Sequence, residues 1–165
     1  MQLFVASLDP LESKVAALCG TEVHWYAEQH GLRDMKQDQS FDSKELNIEG
    51  LKAELALAKI LNVYPNFNCS GPSNVDLRIG NQTIDVKWTK NPNHNLAVVG
   101  RKNLENSADI FALMRGPTDG EMEFTGWVTK EEFFRKARLM DGYGTPFWLL
   151  DASELNEGPI MVQTC

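Results

Sequence analysis

Cysteine is scarce in this chain: Cys19, Cys69 and Cys165 are the only three in 165 residues, and their spacing follows no pattern. A disulfide framework needs paired cysteines and a structural zinc site needs clustered ligands, so neither is expected and all three read as free thiols. Long apolar runs are missing as well. No stretch of about 18 apolar residues is present to span a bilayer, and "MQLFVASLDPLESK" lacks the basic start and apolar core of a secretory signal. The expected location is the cytoplasm, with no membrane partner. Positive charge is in deficit, with 16 Lys and Arg against 23 Asp and Glu and a net charge of −7. Indiscriminate binding to nucleic acid is thereby excluded, because neutralising phosphates takes an excess of clustered cations. Internal repeats and low-complexity segments are also lacking.

What remains is a chain of ordinary composition, 42% hydrophobic, long enough to build one core and too short to expect two. A single domain over residues 1–165 is expected, with a helical N-terminal part (1–46) and a core (47–150). Helical spacing predicts a first helix over "LESKVAALCGTEVHWYAEQHG", stopped by Gly31 and weakened by Gly20. Residues 1–8 fit either strand or loop. A second helix is predicted over "NIEGLKAELALAKILN", capped by Asn47, with Ile48, Leu51, Leu55, Ala58 and Leu61 as its apolar stripe. "LAVVG", "ADIFALM", "EFTGWVT" and "PFWLLD" read as strands, the middle two paired across "RGPTDGE". Thr129 and Glu132 form a T-x-x-E signature ahead of a helix over "KEEFFRKARLM". Helices, then strands, then a helix predict an α/β domain with a central mixed sheet flanked by helices.

The informative stretch is "SNVDLRIGNQTIDVKWTK". Gly80-Asn81 is a turn signal between two alternating runs, and a two-residue turn sets Ile79 against Gln82, Arg78 against Thr83, Leu77 against Ile84 and Asp76 against Asp85. Period two puts Ile84, Val86 and Trp88 on one face and Thr83, Asp85, Lys87 and Thr89 on the other. Two carboxylates then stand about 5 Å apart, an arrangement that destabilises a sheet. A divalent cation resolves the conflict, because hard ions such as Mg²⁺ take carboxylate oxygens, waters and substrate phosphates as ligands. Lys87, next on the same face, can orient or help deprotonate a water against a phosphodiester. Glu54, on the preceding helix, is the natural further acid.

These residues resemble the signature of the PD-(D/E)XK nuclease superfamily, in phage and bacterial members: an acid at one strand, (D/E)-x-K on the next, and a Glu on a helix before them. The matching segments are Glu54 in "GLKAELA", Asp76 in "NVDLRIG" and Asp85-Val86-Lys87 in "IDVKW". The resemblance spans roughly Gly50 to Gly126, and Asn74-Val75 stands where the motif has its proline. It implies a restriction-endonuclease-like core and Mg²⁺- or Mn²⁺-dependent, endonucleolytic hydrolysis of DNA. It further implies Asp76, Asp85 and the Val86 carbonyl as metal ligands, Glu54 assisting, and Lys87 positioning the attacking water.

Three other acid-x-Lys triplets, Glu12-Ser13-Lys14, Asp34-Met35-Lys36 and Asp42-Ser43-Lys44, lie outside any alternating run and have no hairpin partner. Between Arg78 and Lys102 the chain carries five basic residues and one acid. Lys90, Arg101 and Lys102 are therefore the candidates for holding a polyanion beside the site. A homodimer suits cleavage of both strands. Two rival readings are a nuclease-fold module that binds nucleic acid without cutting it, and an acidic phage protein that binds a protein partner. His24 with Glu28 reads as an exposed helix pair and His94 as a loop residue.

Overall fold

The computed structural model describes residues 4–32, 42–67, 75–100, 107–118, 120–141 and 145–160. Among these residues three α-helices and eight strands follow in the order β1 (Phe4–Ser7), α1 (Pro10–Gln29), α2 (Ser43–Leu61), β2 (Leu77–Ile79), β3 (Gln82–Thr89), β4 (Leu96–Val99), β5 (Ile110–Thr118), β6 (Glu121–Thr129), α3 (Lys130–Lys136), β7 (Arg138–Met140) and β8 (Phe147–Leu150). The fold is α/β. Its main sheet has the order β1-β6-β5-β3-β2, antiparallel throughout except for the parallel pair β3 and β5. No helix of the described residues is long and apolar enough to cross a membrane.

Helix α1 starts where three signals coincide. Asp9 accepts from the Leu11 and Glu12 amides, Glu12 reaches back to the Asp9 amide at 2.7 Å, and Pro10 occupies the first turn, where its missing N–H is not needed. Helix α2 begins earlier than its sequence pattern suggests. Asp42 caps it by accepting from Glu45 N at 3.1 Å, so Asn47 lies inside the helix instead of capping it. Its end is marked by Asn62 in the left-handed region (φ 53°).

The two helices cross closely because of Gly20. A Cβ at that position would stand 2.6 Å from Ile48 Cα, so the residue expected to weaken α1 is what lets α2 approach it. On its other side α2 buries Ala53, Ala56, Leu57 and Ala58 against Leu77, Ile84, Val86, Ile110, Ala112 and Met114 of the sheet. This sheet-facing stripe is offset from the predicted one, since small alanines, which carry little hydropathy signal, form most of it.

The opposite face is covered differently from expectation. Instead of one central sheet between helices, strands β4, β8 and β7 form a second, three-stranded antiparallel sheet. Leu96 and Leu150 from it join Phe133 and Phe134 of α3 over Phe111, Leu113 and Val128 of the main sheet. The helix predicted through Met140 is correspondingly short. Thr129 accepts from Glu132 N, one half of the reciprocal pair the signature predicts, but the helix stops at Lys136 and Arg138–Met140 become β7. Strands β5 and β6 also run further into the "RGPTDGE" segment than predicted. The N-terminal part is not purely helical either, as β1 forms the edge of the main sheet beside β6.

Candidate active site

The β2–β3 hairpin has the register its sequence dictates: Leu77 pairs Ile84, Arg78 pairs Thr83 and Ile79 pairs Gln82. Gly80 takes the positive φ (57°) that the tight turn needs. Asp76 departs from expectation. The ladder ends at Leu77, and Asp76 is not a strand residue facing Asp85. Its amide donates to Ile84 O at 2.8 Å, and its carboxylate Oδ2 accepts from Val86 N at 2.7 Å. A side chain thus supplies the acceptor that the missing length of β2 would have offered to β3. The price of this cap is a carboxylate brought beside Asp85.

Asp85 is the charged residue buried most deeply among those described, 8% exposed. Its neighbours on the parallel strand β5 are apolar, with Phe111 in register with Asp85 and Leu113 with Lys87. Two residues on, the half-buried Lys87 reaches back along the same face, Nζ to Asp85 Oδ1 at 2.7 Å. The contact follows from strand geometry, which puts residues i and i+2 on one side. Glu54 comes from α2, one position past the buried Ala53, and lies within electrostatic reach of Asp76, Asp85 and Lys87. The structure therefore gathers all four predicted residues from a helix, a strand and the approach to its partner strand.

Three carboxylates and one ammonium cannot all be charged at low cost in such a place. Burial, then the charges of Asp76 and Asp85, push the Glu54 carboxyl from 4.5 up to about 9, against the pull of Lys87. Burial and Asp85 raise Asp76 from 3.8 to about 7, although the Val86 amide and Lys87 oppose the shift. For Lys87 burial disfavours the ammonium, but Asp85, Asp76 and Glu54 outweigh it and hold the group above its ordinary 10.5. Lys87 is thus a fixed cation in this cluster. In the metal-free protein it can donate hydrogen bonds to a water or a phosphate oxygen.

The donor set suits a hard divalent cation, since crowding that drives protons onto two carboxylates is relieved by positive charge. Among the described residues no group of three or more His, Cys, Asp or Glu side chains is arranged as a ready-made cage. Binding would displace protons from Glu54 and Asp76 and loosen the Lys87 contact with Asp85. Val86, the proposed carbonyl ligand, has its side chain in the core and its amide held by Asp76.

A cleft of about 710 Å³ opens at Lys87 and runs past Lys90 and His94, with Leu46, Phe147 and Leu149 among its walls. Lys90 is exposed at its edge. Arg101 and Lys102 lie outside the described residues. His94 is held as a loop residue, Nδ1 at 3.0 Å from Thr89 Oγ1 and its carbonyl accepting from Arg115. His24 and Glu28 stand 3.3 Å apart on α1, a helix pair as expected, although only Glu28 is exposed.

Sequence reasoning missed a second carboxylate centre. Asp109, just ahead of β5, accepts from the amide and hydroxyl of Thr83, both at 2.9 Å, and Lys130 Nζ approaches it at 3.4 Å. These hydrogen bonds, foremost that from the Thr83 amide, hold Asp109 below its ordinary 3.8. With Thr83 and Asp109 26 positions apart, no local pattern announces the contact. No family model, curated protein or solved structure matches the chain.

Proposed function

We propose that the chain is a metal-dependent nuclease that hydrolyses phosphodiester bonds in DNA. The observation that carries this reading is the convergence of Glu54, Asp76, Asp85 and Lys87 on one spot beside an open cleft. Helix α2 packed on the β2–β3 hairpin, with β5 parallel to β3, supports a restriction-endonuclease-like core. Asp76 and Asp85, with the Val86 carbonyl and Glu54, are the residues that would hold Mg²⁺ or Mn²⁺. Such an ion supplies charge neutralisation at the phosphate and acidifies a bound water.

The protein's own groups divide the remaining work. The Lys87 ammonium orients the attacking water and offers N–H donors to the charge that builds on the phosphoryl oxygens. Lys90, at the cleft edge, is placed to hold the backbone of the substrate.

The 2.7 Å contact between Lys87 and Asp85 favours a second reading, a nuclease-fold module that binds DNA and is locked against catalysis. One experiment separates the two. Purified protein is incubated with plasmid, linear, single-stranded and four-way-junction DNA, with EDTA, Mg²⁺ or Mn²⁺, beside the Asp85→Ala variant. Cleavage that needs the metal and disappears in the variant supports the nuclease; salt-sensitive binding without cleavage supports the module. Activity that survives Asp85→Ala rejects the site.

A further inference from the structure

Helix α1 shows solvent a face that is not polar. From Leu11 to Trp25 its exposed positions are Leu11, Lys14, Leu18, Glu22 and Trp25, spaced by three, four, four and three residues, which is a single stripe along an α-helix. Leu11 is 70%, Leu18 68% and Trp25 49% exposed. A lone exposed leucine needs no explanation. Here large apolar side chains recur every seven residues, and the stripe is symmetric in kind about Leu18. Lys14 and Glu22, of opposite charge, lie four residues to either side of it, and Leu11 and Trp25 lie seven to either side. Neither Lys14 nor Glu22 has an ion-pair partner among the described residues.

Beside Leu11 the surface is concave. A groove of about 380 Å³ runs between α1 and the end of α2, lined by Leu11, Val15, Leu55, Val63, Tyr64 and Phe67. Tyr64 and Phe67 stand edge to face at 6.1 Å on one wall. The Lys59–Glu12 ion pair, 2.9 Å, gives it a polar rim. One end of the α1 stripe is thus a hollow and the other a protruding indole.

We propose that this face pairs with the same face of a second copy of the chain, helix α1 against helix α1, antiparallel, with Leu18 on the two-fold axis. Antiparallel pairing sets Lys14 of each copy against Glu22 of the other and seats Trp25 of each beside Leu11 at the other's groove. A parallel pairing would oppose Lys14 to Lys14 and Glu22 to Glu22, so charge selects the antiparallel one. The two-fold placement of charges and of knob and hollow is what an isologous contact requires, and a foreign partner has no need of it. The inference is independent of the nuclease reading, because α1 contributes none of the four clustered side chains.

Sedimentation equilibrium of the full chain at low salt tests it, over about 1 to 500 µM, the range in which a contact of one helix per protomer dissociates. A reversible monomer–dimer equilibrium is expected. Leu18→Glu, which sets two carboxylates on the axis, gives a monomer throughout. Lys14→Glu weakens the dimer about tenfold, and adding Glu22→Lys restores the affinity to within about threefold, since both ion pairs re-form with reversed sign. All three positions are exposed, and circular dichroism checks that each variant is folded. A monomeric wild-type protein over the whole range, a dimer that persists in Leu18→Glu, or a double reversal no stronger than the single one overturns the proposal.

Discussion

Strand β3 meets a carboxylate and a lysine near each of its ends, and the two meetings differ in kind. At its start, Asp109 accepts two hydrogen bonds from Thr83, faces Lys130 and is held below its ordinary pKa. Every group there lowers the energy of the ionised form. Further along, Asp85 and Lys87 are in contact at 2.7 Å, yet Glu54 and Asp76 crowd the pair and are driven up to about 9 and about 7. The first arrangement ties β3, β5 and α3 together. The second costs the fold stability, and it is the arrangement on which the proposed function rests.

The sharpest way to separate them is activity. Lys87→Met should abolish metal-dependent DNA cleavage, by about a thousandfold or more under single turnover, because it removes the fixed cation at the reacting phosphate. Lys130→Met should leave the rate within about twofold, as it acts only on the structural pair.

Stability should rank the two centres the other way. Asp109→Ala leaves the Thr83 amide and hydroxyl without their acceptor and should cost about 1–3 kcal/mol in urea unfolding. Glu54→Gln should instead stabilise the metal-free protein at pH 8, where the wild-type chain must take up a proton at Glu54 to fold. A loss of stability in Glu54→Gln would mean that Glu54 is satisfied and not frustrated.

The pH dependence has opposite signs at the two places. Glu54 and Asp76 bind protons more tightly folded than unfolded, so the stability they contribute is full at low pH. It is lost as pH rises, through about 7 for Asp76 and about 9 for Glu54. Asp109 binds its proton less tightly folded, so its contribution is present above its ordinary 3.8 and lost as pH falls. In EDTA, unfolding free energy should therefore decline between about pH 5 and pH 9. Glu54→Gln combined with Asp76→Asn should flatten that slope, while Asp109→Asn should change only the acid limb. Asn at position 76 keeps an oxygen for the Val86 amide, so the cap survives. The smallest effect expected is on Lys130→Ala stability, a few tenths of a kcal/mol, since the ion pair is long, 3.4 Å, and Asp109 is partly exposed.

Three members of the candidate site, Asp76, Asp85 and Lys87, were readable in the sequence because they are local, whereas Glu54 comes from a separate helix. Gly80-Asn81 fixes the register, period two puts Asp85 and Lys87 on one face, and both come from within a few residues of each other. The exact placement of Asp76 was not readable, because where β2 stops pairing depends on packing beyond the hairpin. Asp109 escaped for the same reason as Gly20: each matters through a contact with a segment far along the chain, Thr83 in one case and Ile48 in the other. The second sheet was missed because β7 is three residues long and follows a helix whose apolar spacing continues smoothly into it. The stripe of α2 that faces the sheet is made largely of alanine, so hydropathy pointed to the leucines beside it.

Why a chain should keep Glu54, Asp76 and Asp85 together is the question on which the whole account rests, and Mn²⁺ binding at pH 8 answers it most directly. Titration followed by electron paramagnetic resonance should show bound Mn²⁺ in the wild-type protein, weakened at least about tenfold by Asp85→Asn and unchanged by Asp109→Asn. No bound ion at millimolar Mn²⁺, or binding indifferent to Asp85, would contradict it.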